Sequence, residues 1–195
     1  MINPPIPIYL LPGGRLPERQ TEGAIGYDVY LRAIVSPTEM DSEKPNLRKT
    51  IFDFRTTPSE QSANRHVRRV QCENGKGKEI VYVMDPGESV LVGIGFITAM
   101  EFPMFYWVAP RSGLASRHGI TVTNAPGTVD PDYRGEAGVL VYNRNKVPFS
   151  LRHGIRIAQI IFQWALIPKL NPVSHCNDLP KSNRGAGGFG STGLR

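Results

Sequence analysis

The chain has 195 residues and a net charge of +6, from 23 basic and 17 acidic side chains. With 40% hydrophobic and 21% charged residues it is not a disordered chain, which would pair low hydrophobicity with a large net charge, and its length suits one domain around a single core. No apolar run approaches the roughly 18 to 20 residues of a membrane span, and the basic excess favours an anionic partner without choosing among nucleic acid, membrane and phosphorylated metabolite.

Glycine and proline are abundant, 20 and 17 residues, which predicts many turns joining short strands and a mainly β chain. The N-terminal MINPPIPIYLLPGG lacks a basic n-region and a small-residue cleavage site, so a soluble cytoplasmic protein is expected, or a nuclear one if eukaryotic. Apolar, β-like runs then follow at Ile6 to Leu10, Tyr27 to Arg32, Ile80 to Met84, Ser89 to Met100 and Phe105 to Val108. Further runs lie at Ile120 to Thr123, Ala137 to Tyr142, Arg156 to Phe162 and Ala165 to Ile167, with Ser112 to Arg117 the one short helical turn. Turn signals at 11–14, 85–87, 125–127 and 146–148 separate them at the spacing of a sandwich or barrel.

Residues 36–79 stand apart as polar, rich in Ser, Asn, Lys and Arg, and weakly periodic, and are expected to be an insertion or mobile segment. Cys72 and Cys176 lie in no metal-ligand spacing and are expected as free thiols. The four histidines, His66, His118, His153 and His175, form no motif and are assigned no role. Residues 181–195 carry five glycines from Gly185 to Gly193 and cannot build a core, so a flexible arm is expected.

Several segments could carry chemistry. Ala109 to Ser116 leaves a strand and opens a helix; it either presents N–H groups to a phosphate with Arg111 as a clamp or is a plain turn with a serine cap. Thr123 to Glu136 is expected as a hairpin in which Asp130 and Asp132 share a face, able to orient and deprotonate water, while Tyr133 offers a flat surface to a sugar. Gln159, amid aliphatics, needs a polar partner if buried. Glycines around Arg184, Phe189, Ser191 and Thr192 would let backbone N–H groups converge on an anion, but no GK[ST] ending makes this a nucleotide-binding P-loop.

Taken in order, GYD (26–28), PRSGLA (110–115), GTVDPDYRGE (127–136), RIAQII (156–161) and RGAGGFGSTG (184–193) resemble the five motifs of the trimeric, all-β dUTPases. The resemblance spans roughly 1–35 and 83–195, leaving 36–79 without a counterpart. Departures within the motifs, such as Val129 and Pro131, remove no functional group.

The resemblance implies an all-β, jelly-roll-like barrel of the dUTPase or β-clip type, covering 1–180 with the insertion inside it, followed by the glycine-rich arm 181–195. It implies hydrolysis of dUTP to dUMP and pyrophosphate with Mg²⁺ carried on the triphosphate, limiting uracil in DNA and supplying dUMP for dTMP synthesis. Asp130 matches the catalytic carboxylate that holds the attacking water, and Tyr133 the residue packed on the deoxyribose. Asn124 and the backbone of Gly127, Thr128, Val129 and Gly138 match the uracil-reading groups. Arg111, Ser112, Gly113 and Gln159 match phosphate ligands, and Asp28 a supporting carboxylate; Asp28 and Gln159 could reach the metal only through its water shell. Arg184, Phe189, Gly190, Ser191 and Thr192 match the arm that closes on the substrate from another subunit of a homotrimer.

Two rival functions are weighed against this one. A dCTP deaminase would need a glutamate in the strand after the hairpin, and Val139 to Tyr142 has no carboxylate. A dUTP-responsive regulatory role could use 36–79 to bind a protein partner, while the cluster Arg65 to Arg69 reads as a solvated charged loop rather than a nucleic-acid contact.

Overall fold

The computed structural model describes residues 4–55, 64–72 and 75–187. In chain order its strands are β1 (Ile8–Leu10), β2 (Tyr27–Tyr30), β3 (Ala33–Met40), β4 (Arg48–Asp53), β5 (Val67–Gln71), β6 (Lys78–Met84), β7 (Ser89–Gly93) and β8 (Phe96–Thr98). There follow β9 (Met104–Ala109), the helix α1 (Ser112–His118), β10 (Ile120–Val122), β11 (Gly127–Val129), β12 (Gly138–Asn143), β13 (Phe149–Leu151) and β14 (Arg156–Trp164). The expectation of an all-β chain with one short helix holds.

The strands form four sheets, each an open row: β10-β12-β7-β3-β4, β11-β9-β14-β2, β13-β6-β5 and β1-β8. Alternation decides which side chains turn inward. Met104, Tyr106 and Val108 of β9 are buried while Phe105 and Trp107 face outward; on β12 the inward set is Val139, Val141 and Asn143. Met104, Tyr106, Val108, Val139 and Val141 join Val90, Val92, Ile157 and Ile160 in one hydrophobic core.

Glycine at φ +79°, Gly95, breaks the expected run Ser89 to Met100 into β7 and β8, since an L side chain rarely adopts that conformation. Its N–H donates to Glu136 Oε1 at 2.8 Å. Glu136 is buried and grips the equally buried Arg32 through two 2.7 Å hydrogen bonds, Nε to Oε1 and Nη2 to Oε2. Burial works against the charge of Arg32, but the bonds to Glu136 and the nearby Asp53 outweigh it and hold the guanidinium firmly charged.

Residues 36–79 are more regular than their composition suggests. They hold most of β3, all of β4 and β5, and the start of β6. Pro37 within β3 is tolerated because the β3–β4 register shifts between Val35 and Met40, where no ladder N–H is required. Both β4 and β5 are edge strands, exposed along much of their length, so neither shows the apolar alternation that marks a strand in sequence. Cys72 and Cys176 are free thiols.

The expected strand at Ala165 to Ile167 is not formed, as β14 ends at Trp164. The chain divides into two compact units, Met1–Ala165 and Leu166–Arg195. In the second, a 3-10 turn at Cys176–Asp178 is the one regular element among the described residues, and Arg184 Nε closes a local turn on the carbonyl of Gly187 at 2.7 Å. Phe189, Gly190, Ser191 and Thr192 lie outside the described residues. No helix among the described residues is long and apolar enough to cross a membrane.

Candidate active site

Three separated sequence segments meet on one sheet. Because β9, β14 and β2 are adjacent, Gln159 of β14 sits in register with Ala109 on one side and Asp28 on the other. Gly26 makes room for the Gln159 side chain: a Cβ at position 26 would collide with Gln159 Oε1. Gln159 Nε2 then donates to the carbonyl of Pro110 at 3.0 Å, which answers the requirement for a polar partner.

Asp28 is the knot of this corner. It is buried, its Oδ1 accepts from Arg111 Nε and its Oδ2 from Arg156 Nη1, each at 3.0 Å. Arg111 Nη1 also donates to the carbonyl of Arg156 at 2.9 Å, and Arg156 Nη1 to Gln20 Oε1 at 2.6 Å. Two cations thus share one carboxylate, and the strand-to-helix turn that follows is fixed in place.

Arg111, in extended conformation, is the residue preceding α1, and no side chain caps the first turn. Ser112 is the first helical residue rather than the cap, so the plain serine-cap alternative does not hold. Ser112 and Gly113 are exposed and a Cβ at Gly113 would meet open space. Leu114 anchors the helix in the core, and Gly119, at φ +65°, ends it with its N–H on the Leu114 carbonyl.

The 123–136 segment differs from the expected hairpin. β10 and β12 pair with each other, but β11 between them pairs with β9 in another sheet, matching Gly127 to Val108 and Val129 to Tyr106. The segment is an excursion between sheets rather than a two-stranded ribbon. Asn124 folds over Gly127, whose Cβ would stand 3.2 Å from Asn124 Nδ2. Thr128 is exposed, and Gly138 opens β12 opposite Gly93.

Beyond β11, Asp130 and Asp132 are exposed and Tyr133 is 39% exposed, with its Oη donating to the Glu136 carbonyl at 3.1 Å. Asp130, Asp132, Tyr133, Arg134 and Gly135 line a cleft of about 430 Å³ whose opposite wall is Met40, Pro45 and Asn46. A second cavity, between Pro4–Pro7 and Ala99–Met104, has Glu101 as its single ionisable lining group and none of these residues.

Three contributors escaped the sequence reading. Arg156 was legible as part of RIAQII but not as the second partner of Asp28. The Arg32–Glu136 pair roots the excursion at its C-terminal end, and its only sequence signal is a carboxylate directly before the buried run of β12. His66, given no role, stacks on Tyr82 with ring centroids 5.1 Å apart and hydrogen-bonds the Val83 carbonyl through Nδ1 at 2.9 Å. It belongs with Asp85 and Glu88 to a group of three metal-capable side chains at the β6–β7 turn. Glu88 there already accepts from Tyr82 Oη and from the N–H of Asp85, so the group is satisfied by the protein itself.

Residues 79–193 match the dUTPase family model. A deoxyuridine 5′-triphosphate nucleotidohydrolase of Desulfotalea psychrophila is 41% identical over 130 residues, 64% of this chain and 85% of that protein. Among solved structures, the dUTPase of Staphylococcus bacteriophage 80alpha with dUpNHpp superposes with a TM-score of 0.67 at 17% identity, covering 98% of this chain and 100% of the other. A point mutant of the dUTPase of phage phi11 of S. aureus, described with a structural Mg(II) ion, gives a TM-score of 0.59 at 15% identity over 88% and 98% of the two chains. With its five motifs in order, an all-β fold and a family match over more than half its length, the chain belongs to the dUTPase family, the enzymes that hydrolyse dUTP.

Proposed function

We propose that the chain hydrolyses dUTP to dUMP and pyrophosphate through a water held by Asp130, and that the Asp28 knot fixes the phosphate end of the site. The supporting observation is the convergence of GYD, PRSG and RIAQII on one carboxylate, which holds Arg111 and the Ser112–Gly113 turn in a single arrangement. Phosphoryl transfer is catalysed mainly by positioning and charge stabilisation, and such a fixed turn meets that need.

In this mechanism Ser112, the N–H of Gly113 and Gln159 bind the phosphates, with Arg111 supplying charge. Asp130, exposed in its cleft, accepts the proton of the water as its oxygen bonds to the α-phosphorus. The bond from the α-phosphorus to the bridging oxygen breaks, and pyrophosphate leaves. Tyr133 covers the deoxyribose, while Asn124 and the backbone of Gly127 to Val129 and Gly138 read the uracil.

Asp28 has both oxygens committed to arginines, which leaves it no place as a direct metal ligand. A Mg²⁺ ion carried on the triphosphate would offset charge on the phosphates, with Asp28 and Gln159 able to reach it only through its water shell.

We also propose a homotrimer with shared sites, as the resemblance to the family implies. In such a trimer the resemblance implies that one nucleotide takes Asp130 from one copy and the Arg111 turn from another, and that the segment with Arg184, Phe189, Gly190, Ser191 and Thr192 contributes substrate contacts. Outward-facing Phe105 and Trp107 supply apolar surface for such a contact. We place the enzyme in the cytoplasm, in keeping with two unpaired cysteines. A protein partner acting through 36–79 is favoured by one observation, the edge strand β5 with Arg68 and Arg69 exposed.

The test is pyrophosphate release with Mg²⁺ from dUTP, UTP, dTTP and dCTP by the wild type and Asp130→Asn, with the mass in solution measured alongside. Turnover of dUTP alone, lost on substitution, is expected from a trimer. A folded Asp130→Asn protein that keeps the wild-type rate would overturn the assignment.

A further inference from the structure

We propose that the loop at 41–47, the tip of the β3–β4 hairpin, is a positioning element that holds Tyr133 in place and so sets the rejection of a 2′-hydroxyl. The proposal rests on the assignment of Tyr133 to the sugar made above. The loop lies outside all five motifs.

The loop is built to be stiff. Asp41 Oδ1 accepts the N–H groups of Glu43 and Lys44 at 2.9 and 3.0 Å, and the N–H of Asp41 donates to the Leu47 carbonyl at 2.8 Å. The N–H of Leu47 in turn donates to the Lys44 carbonyl at 2.8 Å, and Pro45 fixes its own φ. Such a loop can bear on a neighbour without giving way.

What it bears on is the turn that carries Tyr133. A Cβ on Gly135 would stand 2.5 Å from Tyr133 Oη and 3.1 Å from the backbone oxygen of Asn46. Phenol, Gly135 and loop backbone therefore meet in one close-packed layer that only glycine permits. Met40, Pro45 and Asn46 continue as the wall of the cleft opposite Asp130, Asp132 and Tyr133.

Tyr133 needs this support. It is 39% exposed and its hydroxyl makes one hydrogen bond, to the carbonyl of Glu136 three residues on, within the same turn. A local bond of this kind lets turn and ring move together, whereas the loop ties them to the β3–β4 hairpin. Exclusion of a single hydroxyl group depends on placement at the ångström scale, so a ring free to shift by about 1 Å would admit the ribonucleotide.

The experiment replaces 42–46 (Ser-Glu-Lys-Pro-Asn) by Asn-Gly, a two-residue hairpin turn, in the full chain, and compares kcat/KM for Mg²⁺-dUTP and Mg²⁺-UTP with the wild type and Tyr133→Ala. The expected result is a roughly tenfold fall in the dUTP to UTP ratio, mostly through faster UTP turnover, with kcat for dUTP largely kept. A purely structural role would lower the melting temperature or raise KM for both nucleotides alike and leave the ratio unchanged, which overturns the proposal. An unchanged ratio in Tyr133→Ala instead removes the sugar assignment itself, and the proposal with it. Should the shortened chain fail to fold, Pro45→Gly with Asn46→Gly keeps the loop length while removing its stiffness; a ratio equal to wild type there is equally fatal.

Discussion

Replacing Glu136 by Ala should cost about 3 to 5 kcal/mol of stability, the usual penalty for stranding one member of a buried ion pair. Glu136 and Arg32 are 3% and 7% exposed and share two bonds of 2.7 Å, and Glu136 also satisfies the N–H of Gly95. The substitution leaves a guanidinium without its carboxylate and a backbone donor without its acceptor. Asp53, whose charge also acts on Arg32, softens the loss and argues for the lower end of the range. At about 2 to 4 °C per kcal/mol for a domain of this size, the melting temperature should fall by roughly 10 °C. Thermal unfolding at a fixed protomer concentration measures it, since an oligomer's stability depends on concentration. The double substitution Arg32→Met with Glu136→Leu should regain most of the loss, because an apolar pair leaves no charge stranded. A shift under about 2 °C for Glu136→Ala, or a double variant worse than the single, would refute the reasoning.

Asp28→Asn removes the charge that binds Arg111 and Arg156, so kcat/KM for dUTP should fall roughly 10 to 100-fold through a misplaced phosphate turn, measured by steady-state kinetics with circular dichroism to confirm the fold. Asn143 is fully buried, with Nδ2 reaching the carbonyls of Met84, Asp85 and Val147 and Oδ1 accepting from the N–H of Asn145. Asn143→Leu, which keeps the bulk and strands these groups, should cost about 2 to 4 kcal/mol and lower the urea midpoint without changing the slope. Burial pushes the Asp53 carboxyl up, but hydrogen bonds from the side chain and N–H of Arg55, with the charges of Arg55 and Arg32, prevail and hold it below its ordinary 3.8. Its stabilisation is therefore present above pH 3.8 and lost as pH falls through the lowered value, so Asp53→Asn should cost up to about 1 kcal/mol at pH 7. Urea unfolding as a function of pH should show the difference shrinking as the pH falls below 3.8 and through the lowered value.

Local chemistry wrote much of this protein into its sequence. The short apolar runs of β9, β12 and β14, bounded by turn residues, mark strands in the sequence, and Gly119 ends α1 because its backbone conformation favours glycine. The five motifs identify the family, since each requires particular side chains at fixed short spacing. Strands β4 and β5 were not legible, because edge strands are exposed along much of their length and their partners are chosen by the rest of the sheet rather than by their own pattern.

Tertiary structure decided the site. That Asp28 binds Arg111 and Arg156, 83 and 128 residues away, follows from the order β9-β14-β2, which hydrogen-bonding between strands distant in sequence establishes. That β11 pairs with β9 in another sheet, and that the 41–47 loop lies against the turn carrying Tyr133, likewise depend on which surfaces meet after folding. Sequence patterns report the faces a segment must bury, but the identity of the neighbour across a buried face or a cleft is settled only when the whole core is packed.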